Sequence, residues 1–382
     1  MNTIKGMISM VYLDNAATTK VSAEAAEAAR RAMLECWGNP SSGHSLGMKA
    51  EKLLRASRTT AAKAIGAKEE ELFFTSGGTE ANNLAVLGTA RGQKKRGNHV
   101  IVSAVEHPSV LESAKRLKDE GFDVTFLEPD IYGRITAAQV ADALTEKTTL
   151  VSVMLVNNEL GAVMPVREIA DVIKRSGSGA ILHCDAVQAF GKMPVSVSKL
   201  GCQLLSFSGH KIHAPKGIGA LYISKTVKKP LSLCFGGEQQ ERVRPGTEPL
   251  PNIAAFAEAI KNVSGGKDEI KELNLYAREK LSALDCTINS ASDASPYILS
   301  FSTGCIKSET MLNFLSSKEI YVSSGSACSK GKLSHVLTAA KLPRHIADST
   351  IRLSFCDENT KEDIDILCAA VEEALGRLAR FR

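Results

Sequence analysis

Residues 206–222 read SFSGHKIHAPKGIGALY. An apolar run, LLSF at 204–207, leads into this stretch and a second, GALYI at 219–223, leads out of it; between them Lys211 is hemmed in by Ser208, Gly209 and His210. Lysine is ordinarily a solvated surface cation. At the end of a buried strand it is stripped of water, gives up its proton more easily and becomes an amine able to attack a carbonyl. Lys216, in the turn PKGIG, is the rival lysine and reads as solvent-facing or structural.

Working outward, similar short runs recur at ELFFT (71–75), HVIVSAV (99–105), TLVSVMLV (149–156) and AILHC (180–184). Helical patterns fill most of the gaps, which predicts an α/β fold with a mostly parallel sheet covered by helices on both faces. Around Ser264-Gly265-Gly266 the composition changes to KDEIKELNLYAREKL, a charged amphipathic helix linking two units. We expect a large domain over residues 15–262 and a smaller α+β domain built from residues 1–14 and 263–382. The last helix is expected to begin near Thr360 as its cap, with Ile364, Leu367, Cys368, Val371 and Leu375 on one stripe.

Open α/β sheets bind ligands beyond the carboxyl ends of their strands, so what each strand runs into matters. ELFFT runs into SGGTEANN, where two glycines let the backbone turn and Thr79 opens a helix whose free N–H groups suit a phosphate. HVIVSAV runs into Glu106-His107-Pro108, placing an imidazole at the exit from the sheet. TLVSVMLV ends in Asn157-Asn158-Glu159, a polar cluster suited to a ligand hydroxyl. AILHC ends in Asp185-Ala-Val-Gln188, and a carboxylate there needs a cation or strong donors to offset its burial. Each of these has an ordinary structural explanation on its own: a capped glycine turn, a structural histidine, a loop cap. Together they supply an imine-forming lysine, an aspartate for a pyridinium nitrogen, a histidine for stacking or proton transfer and a phosphate cradle, the set that pyridoxal 5'-phosphate requires.

Composition narrows the alternatives. A chain of 382 residues, 44% hydrophobic, can bury a sizeable core. With 47 Lys and Arg against 42 Asp and Glu, the net charge of +5 is too balanced for nucleic-acid binding by bulk field. No apolar run approaches the roughly 18 residues a membrane helix needs, and the first residues lack a secretory pattern, so a cytoplasmic protein without membrane or nucleic-acid partners is expected. The nine cysteines include no CxxC pair and read as free thiols. His210-x-x-His213 and His183-Cys184-Asp185 hint only weakly at metal, and neighbours on a strand face opposite sides, so no permanent metal site is expected.

Nearly end to end, the chain resembles the cysteine desulfurases of the class V aminotransferase group, pyridoxal-phosphate enzymes of fold type I. The resemblance runs through YLDNAATT (12–19), GNPSSGH (38–44), FTSGGTEANN (74–83), EHPSV (106–110), NNELG (157–161), DAVQAFGK (185–192), SFSGHK (206–211), RPGTEP (244–249) and SSGSACS (323–329). It implies that Lys211 forms the imine, with His210 beside it and Ser208 reaching the phosphate together with Gly78 and Thr79. Asp185 is implied to hold the pyridine nitrogen protonated, Asn158 and Gln188 to meet the ring hydroxyl region, and His107 to lie against the ring. Thr247 matches a threonine that completes the phosphate site of a second subunit, which implies a homodimer with shared active sites. Arg352, in STIRLS, matches the arginine that grips the substrate carboxylate, a task suited to a planar guanidinium. The chain departs from the family at Ala214 and Glu238, where glycines are usual.

Cys328 differs from the other thiols. Most of those sit in apolar contexts such as LHCDA, SLCFG or DILCA and read as small buried hydrophobes, whereas SSGSACSKGK has no large apolar residue and suggests a loop, at about 323–335, that carries a thiol to a pocket. Lys330 and Lys332 favour the thiolate there. The resemblance implies that L-cysteine is converted to L-alanine while Cys328 takes the sulfur as a persulfide, with His107 moving a proton. The sulfur would then pass to an iron–sulfur scaffold or another acceptor protein, with Cys328 touching a cluster only transiently. The alternatives are a selenocysteine lyase, an aminotransferase of the same fold, or a non-catalytic sulfur-relay or scaffold-binding protein.

Overall fold

The computed structural model describes residues 10–263, 265–324 and 333–378. After a two-residue strand, β1 (Val11–Tyr12), and the helices Ala23–Glu35 and Ser45–Ala64, seven strands make the central sheet: β2 (Leu72–Thr75), β3 (His99–Ser103), β4 (Asp123–Leu127), β5 (Thr148–Ser152), β6 (Ile181–Asp185), β7 (Leu204–Ser208) and β8 (Gly219–Ile223). Their spatial order is β2-β8-β7-β6-β5-β3-β4. The pairs β3–β4, β3–β5, β5–β6 and β6–β7 are parallel. Only β8 runs antiparallel to its neighbours β7 and β2. The ends of β2, β3, β5, β6 and β7 therefore share one edge of the sheet, where the polar turns read from the sequence come together.

Every residue of β2, β3, β5, β6, β7 and β8 is buried, as strands covered on both faces require. The central sheet contains one strand that the apolar runs do not announce. β4, DVTFL, is the sheet edge; its charged first residue is exposed and the next three are only half-buried, so its sequence lacks the continuous apolar signal. TLVSVMLV also stops short of the expected eight residues. After Ser152 the chain leaves regular pairing, yet the N–H groups of Val153 and Leu155 still donate to the carbonyls of His183 and Asp185.

A second, smaller sheet has the order β12-β13-β10-β9, formed by β9 (Thr287–Ile288), β10 (Ile298–Ser302), β12 (Ser323–Ser324) and β13 (Thr350–Ser354). β11 (Ile320–Tyr321) pairs with β1 in parallel. Helices Asp268–Ala283, Ser308–Ser316 and Lys361–Arg377 supply Leu273, Met311 and Leu367 to a core that also takes in Val11 and Leu13. The last helix begins as its sequence predicts: Thr360 Oγ1 accepts from the Asp363 N–H, and Ile364, Leu367, Cys368 and Val371 are buried. Val336, Leu337 and Ala347, by contrast, pack into the core beneath the large sheet.

Candidate active site

Lys211 closes a single helical turn, Gly209–Lys211, directly after β7. Its Nζ donates to the carbonyls of Ala16 and Ala17 at 2.6 and 2.7 Å, so the YLDNAATT stretch holds the amine in place. Burial pushes its pKa down to about 8; Arg352 adds to that push, and Asp14 and Asp185 oppose it. His210 is lowered further, to about 4, by burial and by the lysines around it, so it is neutral at ordinary pH.

Asp185 ends β6 and is 4% exposed. The sequence requires it to have a specific partner, and it has two neutral ones: Asn82 Nδ2 donates to Oδ2 at 2.7 Å and the Val187 N–H to Oδ1 at 2.9 Å. Burial raises its pKa, while these donors, His107 and Lys211 draw it back. Asn82 also donates to Ser109 Oγ at 2.9 Å, and that hydroxyl meets His107 Nδ1 at 2.8 Å. A hydrogen-bonded chain thus runs from Asp185 through Asn82 and Ser109 to His107. The Ser109 backbone N–H also donates to His107 Nδ1, at 3.1 Å, and a backbone N–H can only donate. Nδ1 is therefore the acceptor and a neutral His107 carries its proton on Nε2. His107 is exposed as a residue, yet the protein around its ring withholds enough solvent to lower its pKa, against the pull of Asp185.

At the end of β2, Gly78 starts the helix that carries Asn82. A Cβ at Gly78 would lie 2.7 Å from Val187 Cγ2 and 3.6 Å from Ser208 Cβ, so only glycine lets this helix start approach the Asp185–Val187 turn so closely. Ser208 is 2% exposed and its Oγ has no hydrogen-bond partner, an orphan donor and acceptor at the same spot. Thr79 is exposed beside it. Arg244 pairs with Glu80 at 3.0 Å, tying the start of RPGTEP to this turn. Thr247 is exposed, with no hydrogen bond to the cluster among the described residues.

Gln188 is buried; its Nε2 donates to the Ala16 carbonyl at 2.9 Å and its Oε1 accepts from Lys192 Nζ at 3.1 Å. Lys192 is buried as well, and its pKa is pushed down to about 7. Arg352, on β13, donates from Nη2 to Asp14 Oδ1 at 2.7 Å and from Nη1 to the Asn158 carbonyl at 2.8 Å. The next residue, Glu159, accepts from Ser334 Oγ at 2.5 Å, and burial raises its pKa to about 7. Glu106 is fully buried: Oε1 accepts from the Met154 N–H, Oε2 has no partner, and burial with Asp185 nearby keeps its pKa well above the usual carboxylate range. Cys328, with Lys330 and Lys332, lies outside the described residues. Of the thiols read as buried, Cys184 and Cys368 are so, whereas Cys234, in SLCFG, is exposed because its segment belongs to no strand or helix of the core.

Ser208, His210, Lys211, Asp185, His107, Gly78 and Thr79 are thus gathered at one sheet edge, and Asn158, Gln188 and Arg352 reach it through the 14–17 stretch. Sequence reasoning missed Asn82, Ser109 and Asp14 as their partners. Asn82 carries a usable signal, since it lies one helical turn beyond Gly78 in a segment already assigned to the site.

A buried lysine amine at the strand ends of this sheet, beside a buried aspartate and a glycine-opened helix, narrows the class, and the chain belongs to the aminotransferase class-V family, whose sequence model matches residues 11–367. Its relatives narrow the match. It is 41% identical over 380 residues to a putative cysteine desulfurase IscS 1 of Bacillus subtilis, covering 96% of this chain and 99% of that one. It is 39% identical over 376 residues to the cysteine desulfurase IscS of Methanosarcina thermophila, covering 96% of this chain and 92% of the relative. A solved NifS-like protein superposes with a TM-score of 0.91 at 35% identity, over 96% of this chain and 99% of that structure.

Proposed function

We propose that this chain is a pyridoxal-phosphate-dependent cysteine desulfurase, turning L-cysteine into L-alanine and passing the sulfur to Cys328 as a persulfide for iron–sulfur or other sulfur-cofactor assembly. The observation that carries the reading is the convergence of Lys211 and Asp185 on one sheet edge, with the amine's pKa down at about 8. The orphaned Ser208 Oγ beside Gly78 fits a phosphate, and Asp185, held by neutral donors, keeps its own charge for a protonated ring nitrogen.

Pyridoxal phosphate, when bound, supplies an aldehyde that condenses with amines and a ring that accepts an electron pair. The protein does the rest. Lys211, lowered to about 8, presents a useful fraction of neutral amine near neutrality, first as nucleophile and, once displaced, as the base for the substrate's α-proton. Gly78, Thr79 and Ser208 would hold the phosphate, Gln188 and Asn158 would serve the ring hydroxyl, and His210, a neutral group, would stand beside Lys211. Arg352 receives the substrate carboxylate. His107, protonated on Nε2 and fixed through Ser109, can hand over a proton near the departing sulfur. The Cys328 thiolate would form the new S–S bond as the substrate's C–S bond breaks; the electron pair of that bond stays with carbon, which takes up a proton and leaves as alanine.

The same reading makes the active unit a homodimer in which Thr247 serves the neighbouring phosphate site. Exposed Leu34, Trp37, Met48 and Phe235, the last 92% exposed, are apolar surface suited to a second copy. It also places the chain in the cytoplasm, with an iron–sulfur scaffold or other acceptor protein as partner and the domain division near residues 14 and 263. No helix of the described residues is long and apolar enough to cross a membrane. Incubation with L-cysteine followed by mass spectrometry tests the proposal. One extra sulfur on Cys328 is expected, and Cys328→Ala should keep its cofactor yet release no sulfide; turnover retained in that variant would reject the role.

A further inference from the structure

The guanidinium assigned to the substrate already has a carboxylate. Arg352 sits in the middle of β13, paired across to Ser300 and Ser323, and is 8% exposed. Asp14 reaches it from the other end of the chain and is itself held by its backbone, which bridges Ser354 and whose carbonyl accepts from the Ala17 N–H at 3.0 Å. Nη2 goes to Asp14 and Nη1 to the Asn158 carbonyl, leaving Nε buried with no acceptor. A guanidinium has five N–H groups, so the unpartnered Nε is a place where a further acceptor is wanted.

We propose that Asp14 is a specificity-setting residue, a built-in carboxylate that shares the Arg352 cation with the ligand and so favours zwitterionic amino acids over acids lacking an ammonium group. This rests on the reading of Arg352 as the group that receives the substrate carboxylate. An arriving carboxylate completes Nε but meets a cation whose charge is already balanced, and it feels the Asp14 charge as repulsion. A ligand that brings its own ammonium offsets that repulsion; a plain carboxylic acid does not. The Asp14 hydrogen bond positions Arg352, while its charge sets the selectivity, and Asp14→Asn separates the two because the amide oxygen can still accept from Nη2.

The test is calorimetric titration of the holoenzyme with L-alanine and with propionate. In D14N, propionate should bind about tenfold tighter and alanine about threefold tighter, narrowing the wild-type preference. Asp14→Ser, a second neutral variant, should change in the same direction, and Asp14→Glu should restore most of the preference. Loss of the ion pair should also lower the melting temperature of D14N, so affinity rises while stability falls, a combination that a purely structural role does not give. Unchanged or weaker propionate binding in a neutral variant that keeps its bound cofactor would overturn the proposal. Arg352→Gln separates the two levels: if it leaves both ligands' affinities intact, the assignment of Arg352 itself fails; if it weakens both while D14N changes nothing, only the role of Asp14 is lost.

Discussion

The two poles of the site are built differently. The Lys211–Asp185 pole is made by strands that lie side by side, and its aspartate is held by neutral donors, Asn82 and the Val187 N–H. The Arg352 pole is assembled from residues 14, 158 and 352, and its aspartate is held by a cation. A carboxylate fixed by neutral donors retains its charge for something else, whereas one fixed by a guanidinium has its charge largely neutralised. The first pole is therefore suited to act on a cofactor and the second to weigh one ligand against another.

The largest expected effect is at the first pole. Lys211→Ala should cut turnover by at least about 1,000-fold, and borohydride, which should fix a pyridoxyl group on Lys211 in the wild type, should fix none in the variant. Next is Asn82→Ala, which deprives Asp185 of one of its two donors. A lost hydrogen bond to a buried charge is worth about 1.5–3 kcal/mol, so kcat should fall roughly 10- to 100-fold. KM for cysteine should scarcely move, because Arg352 is untouched; a change confined to KM would show that the poles are not separable. A smaller effect appears with pH. The apo-protein's capture of pyridoxal phosphate should accelerate as pH rises through about 8, well below the ordinary lysine range. Because folding lowers the pKa of this lysine, the unfolded chain holds the extra proton between about pH 8 and the ordinary lysine value, and stability should rise with pH across that window. Reductive labelling of Lys211 against pH and thermal melts would check both.

The smallest effect lies at the second pole. Glu159 has its pKa raised to about 7 by burial, so between the ordinary glutamate value and about 7 the native state holds the extra proton and stability falls as pH rises. Glu159→Gln should flatten that slope, worth on the order of 1–3 kcal/mol, in melts followed from pH 5 to 8.

The contrast also explains what could be read from the sequence. The first pole follows from a rule about where sheets bind ligands, applied to apolar runs that are easy to see because both faces of their strands are buried. β4 was lost for the opposite reason: an edge strand with a charged, exposed start carries little of that signal. Arg352 and Thr247 came only from family resemblance, since nothing local in STIRLS or RPGTEP announces a ligand. Asp14 was missed because its partner lies 338 positions away, and no periodicity reports a contact of that span. Asn82 was passed over within a segment already assigned to the site, because a side chain that orients another residue looks in sequence like any polar helix residue.

Between Tyr12 and Thr19 the chain passes from one core to the other: Leu13 is packed with the small sheet, Ala16 with the large one, and the carbonyls and carboxylate between Asp14 and Ala17 hold Arg352 and Lys211. This short ribbon acts as a tie-rod. Any rocking of the two cores against each other would pull on the amine and the guanidinium together, so the freedom of Lys211 and the set of Arg352 are mechanically geared.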